Sequence, residues 1–152
     1  MQANLETTKL SSFGKFDAVF CSDLLYHLPQ PWELLNQLTA VSPHLFIWTL
    51  CAMEQDADIG CGRYRGRKQG EGGLDEPLSG LYPDSFWPTL GSLVNMLTDA
   101  GFGLVKILSN HLEHENGPAV TIAASIEKSE PGRQPHLQCH GSATAKCEST
   151  NR

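Results

Sequence analysis

Two apolar runs joined by a helical pattern set the strongest constraint on this chain. Phe16 to Cys21 (Phe-Asp-Ala-Val-Phe-Cys) is short and nearly continuous in apolar residues, as a strand buried on both faces would be. Asp17 opens it and reads either as a functional carboxylate or as one bonded to the backbone of a neighbouring loop. Pro31 to Val41 places Trp32, Leu34, Leu35, Leu38 and Val41 at spacings of three and four, the stripe of an amphipathic helix. Pro31 suits a first helical turn, and Ser42-Pro43 stops the helix. His44 to Cys51 is a second apolar run, rich in aromatic and β-branched types, and reads as another buried strand. Strand, helix and strand with short links form a right-handed crossover, which needs a parallel pair.

The rest of the chain extends that frame. Ala52 to Asp84 holds seven glycines and the densest cluster of basic residues, Arg63 to Lys68, and reads as a long irregular loop. Asp84 or Ser85 is placed to cap a helix through Phe86 to Ala100, with Pro88 in its first turn. Phe86, Leu90, Leu93, Val94, Leu97 and Ala100 form its stripe, and Gly101 stands where a helix-ending glycine would. Phe102 to His114 and Pro118 to Lys128 are strand-like, and Glu115-Asn116-Gly117 between them is a hairpin signal. From Ser129 the sequence is polar and poor in aliphatics, which predicts a disordered tail. The order β-α-β-loop-α-β-β predicts an α/β domain over residues 1–128, its mixed sheet ending in an antiparallel hairpin, and a tail over 129–152.

At 152 residues, 40% hydrophobic and 18% charged, the chain suits one globular domain. A net charge of -6 excludes a nucleic-acid surface spread over the whole protein. The five cysteines are odd in number and none forms a C-x-x-C pair. Met1 to Lys9 is polar and no apolar run approaches a membrane span. These features predict a cytoplasmic protein with free thiols and no membrane partner.

The opening stretch also resembles a known motif. Phe16-Asp17-Ala18-Val19-Phe20-Cys21, then Leu25-Tyr26-His27-Leu28 and Pro29, is similar to the fourth conserved segment of class I S-adenosylmethionine-dependent methyltransferases, F-D-x-V-x-C…L-x-H-L…P. Gly62-Arg63-Tyr64-Arg65-Gly66, Pro77-Leu78-Ser79-Gly80-Leu81, Ser85-Phe86-Trp87-Pro88-Thr89, Met96-Leu97 and Ala100-Gly101-Phe102 resemble a bacterial subgroup of small-molecule and tRNA-type methyltransferases. The resemblance covers about Phe13 to Glu127. It implies a partial Rossmann-like methyltransferase fold, strands four to seven of the family's sheet. It also implies S-adenosylmethionine as cofactor and a small-molecule or RNA methyl acceptor. The family holds its cofactor mainly through a glycine-rich turn after strand one and an acidic residue after strand two. The fifteen residues before Phe16 have room for neither. The expectation is a truncated form with weak or no activity alone, or a non-catalytic fragment or subunit completed by a partner chain that supplies the missing half. Asp58-Ile59-Gly60-Cys61-Gly62 spells such a turn, but polar residues precede it and glycine-rich, helix-poor sequence follows, so it is not expected to act as one.

Each candidate site residue carries two readings. The resemblance sets Cys21, Ser22, Asp23 and Leu24 against the cofactor, through main chain and small side chains, where packing alone also favours small residues. Asp23 meets either a substrate or the sulfonium charge, or it is a turn former. His27 is the candidate catalytic base, because histidine exchanges protons near neutrality, or it is structural. Arg63, Tyr64 and Arg65, in a basic cluster reaching Lys68, suit a substrate phosphate or carboxylate, or a solvated loop. The same cluster allows a binding module for an anionic small molecule or RNA. His111, Glu113 and His114 mimic a metal site, but two histidines three apart on a strand face opposite sides. His136, Cys139, His140 and Cys147 match no standard zinc spacing.

Overall fold

A computed structural model of the chain describes residues 4, 5 and 7–126. The expected tail, with its histidines and cysteines, lies outside the described residues. The elements run β1 (Val19–Ser22), α1 (Pro31–Thr39), β2 (His44–Leu50), β3 (Ile59–Cys61), β4 (Tyr64–Gly70), β5 (Asp84–Pro88), α2 (Leu90–Ala100), β6 (Leu104–His111) and β7 (Ala119–Ser125). They form a four-stranded sheet of order β1-β2-β7-β6 and a three-stranded sheet of order β3-β4-β5. β1 and β2 are parallel, with Cys21 opposite Ile47, and β7 runs antiparallel between β2 and β6. The expected crossover and the closing hairpin are both present. Gly117 turns the hairpin at φ 118°, a conformation that costs glycine nothing.

The main core lies on one face of the larger sheet, and a smaller buried cluster of Leu50, Ala52, Trp87 and Ala119 lies at the carboxyl end of β2. Cys21, Leu45, Ile47, Val120, Ile122 and Ala124 point to the same side by strand alternation, and there they meet Leu34, Leu35 and Leu38 of α1 and Leu93, Met96 and Leu97 of α2. Leu35, Ile47, Leu93, Leu97 and Ile122 are completely buried, and each such side chain stabilises the fold by about 1.5–3 kcal/mol. The opposite face carries the row Phe20, Phe46, Ala123 and Lys106. No helix covers it among the described residues. Phe20 is 69% exposed and stacks on Phe46 at 4.9 Å. β1 was expected to be buried on both faces; only one is, and it begins at Val19 rather than Phe16. Asp17 is exposed, and no side-chain hydrogen bond is found for it among the described residues.

Two further expectations are corrected. The stretch 52–84 is not a bare loop, since β3, β4 and then β5 pair antiparallel within and just after it. Asp58 to Gly62 falls on the β3–β4 hairpin, with Gly62 turning at φ 63°, so it opens no helix. The second helix starts at Leu90, not Phe86, and its cap is Thr89, whose Oγ1 accepts from the Ser92 N–H at 3.2 Å. Pro88 explains the shift: it pushes Trp87 away from the helical region and fits at a strand end. Gly101 ends α2 in the left-handed region at φ 108°, as expected. The Ala52–Thr89 bridge and the bond from Phe86 N–H to Leu28 O tie the small sheet to the ends of β1 and β2.

Candidate functional site

Chain direction decides where a site can form. β1 and β2 deliver their carboxyl ends to one edge of the sheet, the place where open α/β sheets bind ligands. Beyond β1, Ser22 and Asp23 turn the chain into a short 3-10 segment, Leu25–His27. Asp23 is the one non-glycine residue with positive φ among the described residues, at 53°. Its carboxylate accepts from Ser22 Oγ at 3.0 Å and from Tyr26 Oη at 3.2 Å, which compensates the turn. Burial, together with the Asp23 charge, pushes the Tyr26 phenol up to about 12, so Tyr26 stays a donor.

This turn forms one wall of a cleft of about 570 Å³. Asp23, Leu24, His27 and Leu28 face Pro77, Leu78, Ser79 and Leu81 across it, and Asn116 of the β6–β7 turn adds to the rim. That size is within the usual range for small-molecule sites, about 300–1,000 Å³. Leu78 and Leu81 are 92% and 55% exposed, so the far wall presents apolar side chains to solvent.

His27 is held on two sides. Its ring lies 4.2 Å from the Tyr26 ring, and its Nδ1 is 3.0 Å from Glu71 Oε2. The Glu71 side chain is 5% exposed. It also accepts from Gly80 N–H at 2.7 Å, Ser79 Oγ at 2.8 Å and Ser85 Oγ at 2.6 Å. Burial alone would raise the Glu71 carboxyl. The bonds from Gly80, Ser85, Ser79 and His27 outweigh it and hold the group below its ordinary value. An ionised Glu71 accepts a hydrogen bond from Nδ1–H, and in the neutral ring that leaves the lone pair on Nε2. Nε2 has no hydrogen-bond partner among the described residues.

The sequence candidates separate into two groups. Asp23, Leu24 and His27 meet in the cleft. Ser22 stands behind Asp23. Cys21 turns its side chain into the core at 5% exposure, and burial pushes its thiol up to about 11, so it is no nucleophile. Arg63, Tyr64 and Arg65 lie away from the cleft, around the small sheet. Arg63 pairs with Asp99, Tyr64 Oη donates to Asp99 Oδ2 at 2.6 Å, and Arg65 contacts Glu54 at 3.4 Å and the Ala57 carbonyl at 3.2 Å. His111 and His114 bring their rings within 5.8 Å, and no cluster of three metal-ligating side chains occurs among the described residues. Glu71 was missed by the sequence reading. It sits among glycines, 44 residues from its partner, with no periodicity or motif to mark it. No helix among the described residues is long and apolar enough to cross a membrane.

Solved structures share this architecture. The N-terminal domain of EvdMO1 with SAH bound matches at a TM-score of 0.71 and 27% identity, over 82% of this chain and 52% of that one. The chain has a methyltransferase-like α/β fold. The same domain in the presence of SAH and D-fucose matches equally, over 53% of that chain. EvdMO1 itself matches at a TM-score of 0.54 and 24% identity, a likeness of fold alone. The chain thus spans about half the length of the domains it matches. No protein-family model matches it, and no curated protein does.

Proposed function

We propose that this chain carries the cleft half of an S-adenosylmethionine-dependent methyltransferase acting on a small molecule. The carrying observation is a carboxylate-held histidine on the rim of a cleft at the carboxyl ends of parallel strands. The SAH bound to a neighbouring domain of the same fold supports the cofactor, since SAH is what remains of S-adenosylmethionine after methyl transfer. When bound, the cofactor supplies an electrophilic methyl group on a positively charged sulfur. The described residues fit that end of it. Asp23 offers an exposed carboxylate to the positive charge and Leu24 an apolar contact, and both line the cleft, which Cys21 and Ser22 do not. No strand flanks the outer edge of β1 among the described residues. His27 is the base that would take a proton from the acceptor. An apolar cleft, and basic side chains already paired with acids, favour a small acceptor over RNA. The D-fucose present with one neighbour supports a hydroxyl-bearing acceptor. Calorimetric titration with S-adenosylmethionine and with SAH tests the reading; absence of heat at millimolar ligand sinks it for this chain acting alone.

A second reading rests on a separate observation. Among the described residues β1 is an edge strand, and its own Phe20 is exposed. Such an edge pairs readily with another strand. In this reading the chain is a subunit completed by a partner that adds strands beside β1. Light scattering after size exclusion separates the two. Self-association relieved by Phe20→Ser supports it, and a clean monomer unaffected by that change counts against it.

A further inference from the structure

We propose that Glu71 is a positioning residue that couples the loop 77–81 to His27, so that the wall facing the acceptor also sets the ring that takes its proton. The proposal rests on reading the cleft as a methyl-transfer site, and it names the acceptor as a hydroxyl compound with an apolar face.

The carboxylate connects three pieces of chain. Oε2 receives His27 Nδ1, Ser79 Oγ and Gly80 N–H, and Oε1 receives Ser85 Oγ of β5. Glu71 is anchored by its own N–H, which donates to Pro83 O at 2.9 Å. Gly80 is pressed against the turn that carries the histidine: a Cβ there would stand 2.6 Å from the His27 carbonyl oxygen. The loop therefore docks on the His27 turn through backbone, and on its ring through Glu71. Beyond this anchor, Leu78 and Leu81 contribute no residue to the buried core, yet both line the cleft. Apolar side chains left exposed beside a base are suited to the apolar face of a ligand.

The chemistry follows from the ring's hydrogen bond. Nδ1 keeps its proton against Glu71, and Nε2 accepts the acceptor's hydroxyl proton. The O–H electron pair stays on oxygen, which would form the new O–CH3 bond as the S–CH3 bond breaks and its electron pair returns to sulfur, leaving neutral SAH. The positive charge arising on the imidazole is met by the buried Glu71 carboxylate. A hydroxyl gains most from such a base, because its oxygen is a weak nucleophile until the proton is drawn away.

The test reads the ring and the loop directly, without cofactor. Imidazole ¹⁵N spectra of the full chain are compared for wild type, Glu71→Gln and Ser79→Ala. The wild type carries its proton on Nδ1, and in Glu71→Gln the ratio of the two tautomers moves toward Nε2–H by about tenfold or more, the loss of a charge-assisted bond. An unchanged tautomer in Glu71→Gln overturns the positioning role. Ser79→Ala leaves the His27–Glu71 hydrogen bond in place and removes two loop contacts, the bond to Glu71 Oε2 and the one accepted from the Gly72 N–H at 2.6 Å. It is expected to speed amide exchange at Gly80 and proton exchange at Nδ1 together. Faster exchange at Gly80 with an unchanged Nδ1 signal overturns the coupling, and this variant decides the matter if Glu71→Gln does not fold. Cyclohexanol is the acceptor probe. In wild type it moves the Leu78 and Leu81 methyl signals together with the Nε2 signal, whereas no shift overturns the acceptor class. A failed cofactor titration leaves all of these readouts standing, so the two readings fail separately.

Discussion

Replacing Glu71 by glutamine keeps the side chain's volume and removes its charge. In the wild type this carboxylate accepts from His27, Ser79, Gly80 and Ser85 while 5% exposed. Hydrogen bonds to a charged group contribute about 1.5–3 kcal/mol each and neutral ones about 0.5–1.5 kcal/mol, but burial of the charge offsets part of that sum. A glutamine also turns an amide donor toward groups that are donors themselves. The expected net loss at pH 7 is about 2 kcal/mol, or about 4–8 °C in Tm for a chain of this size. The pH dependence gives the sharper check. Glu71 titrates below its ordinary value in the folded state, so its ionisation stabilises the fold above the ordinary glutamate range, about 4.3, and that stabilisation is lost as pH falls through the folded value. Glutamine does not titrate. Urea denaturation of both proteins from pH 7 down to pH 3 should therefore show a gap that is widest near neutrality and narrows below about pH 4. A gap that stays constant over that range would refute the reasoning, because the lost stability would then owe nothing to the charge.

Three further outcomes follow from the packing. Leu35→Ala, at a completely buried position on α1, should cost about 2–5 kcal/mol in denaturant unfolding, and a loss under about 1 kcal/mol would mean that α1 is not packed as described. Thr89→Ala should lower stability by about 1–2 kcal/mol by thermal circular dichroism, with Thr89→Ser restoring most of it, since the cap oxygen to Ser92 N–H is what the first change removes. Cys21 and Cys51, whose thiols burial pushes up to about 11 and about 12, should resist iodoacetamide at pH 8 in the folded protein and react once it is unfolded; mass spectrometry showing rapid labelling of the folded chain would contradict their burial.

What the sequence revealed depended on which residues carried the pattern. The β1-α1-β2 crossover was readable because Cys21, Leu35 and Ile47 belong to apolar runs with the right periods. The smaller sheet was not. β4 reads Tyr-Arg-Gly-Arg-Lys-Gln-Gly, and its one fully buried residue is Gly66, packed so closely on the Trp87 carbonyl that a Cβ would meet it at 2.2 Å. A strand whose inward position is glycine leaves no hydrophobic alternation to find. β5 was mistaken for helix because Phe86 and Leu90 are four apart, although the proline after Trp87 was a warning. In the site, Asp23, Leu24 and His27 were accessible from the motif at the end of β1. Their geometric counterpart Glu71 was not, because a carboxylate that acts by accepting bonds from three separate segments has no local signature.

The stretch of sheet face around Phe20 and Phe46 has a bearing on where such a fold can be divided. Both α1 and α2 lie on the side of Cys21, Ile47 and Ile122, while Phe20 and Phe46 stack with each other on the other side. A boundary drawn along that second face and down the outer edge of β1 runs between layers and severs none of the packing that holds α1 and α2. Whatever meets that surface can be joined or withdrawn without unravelling the body behind it. The architecture has a natural parting line, and the main core of this chain lies wholly on one side of it.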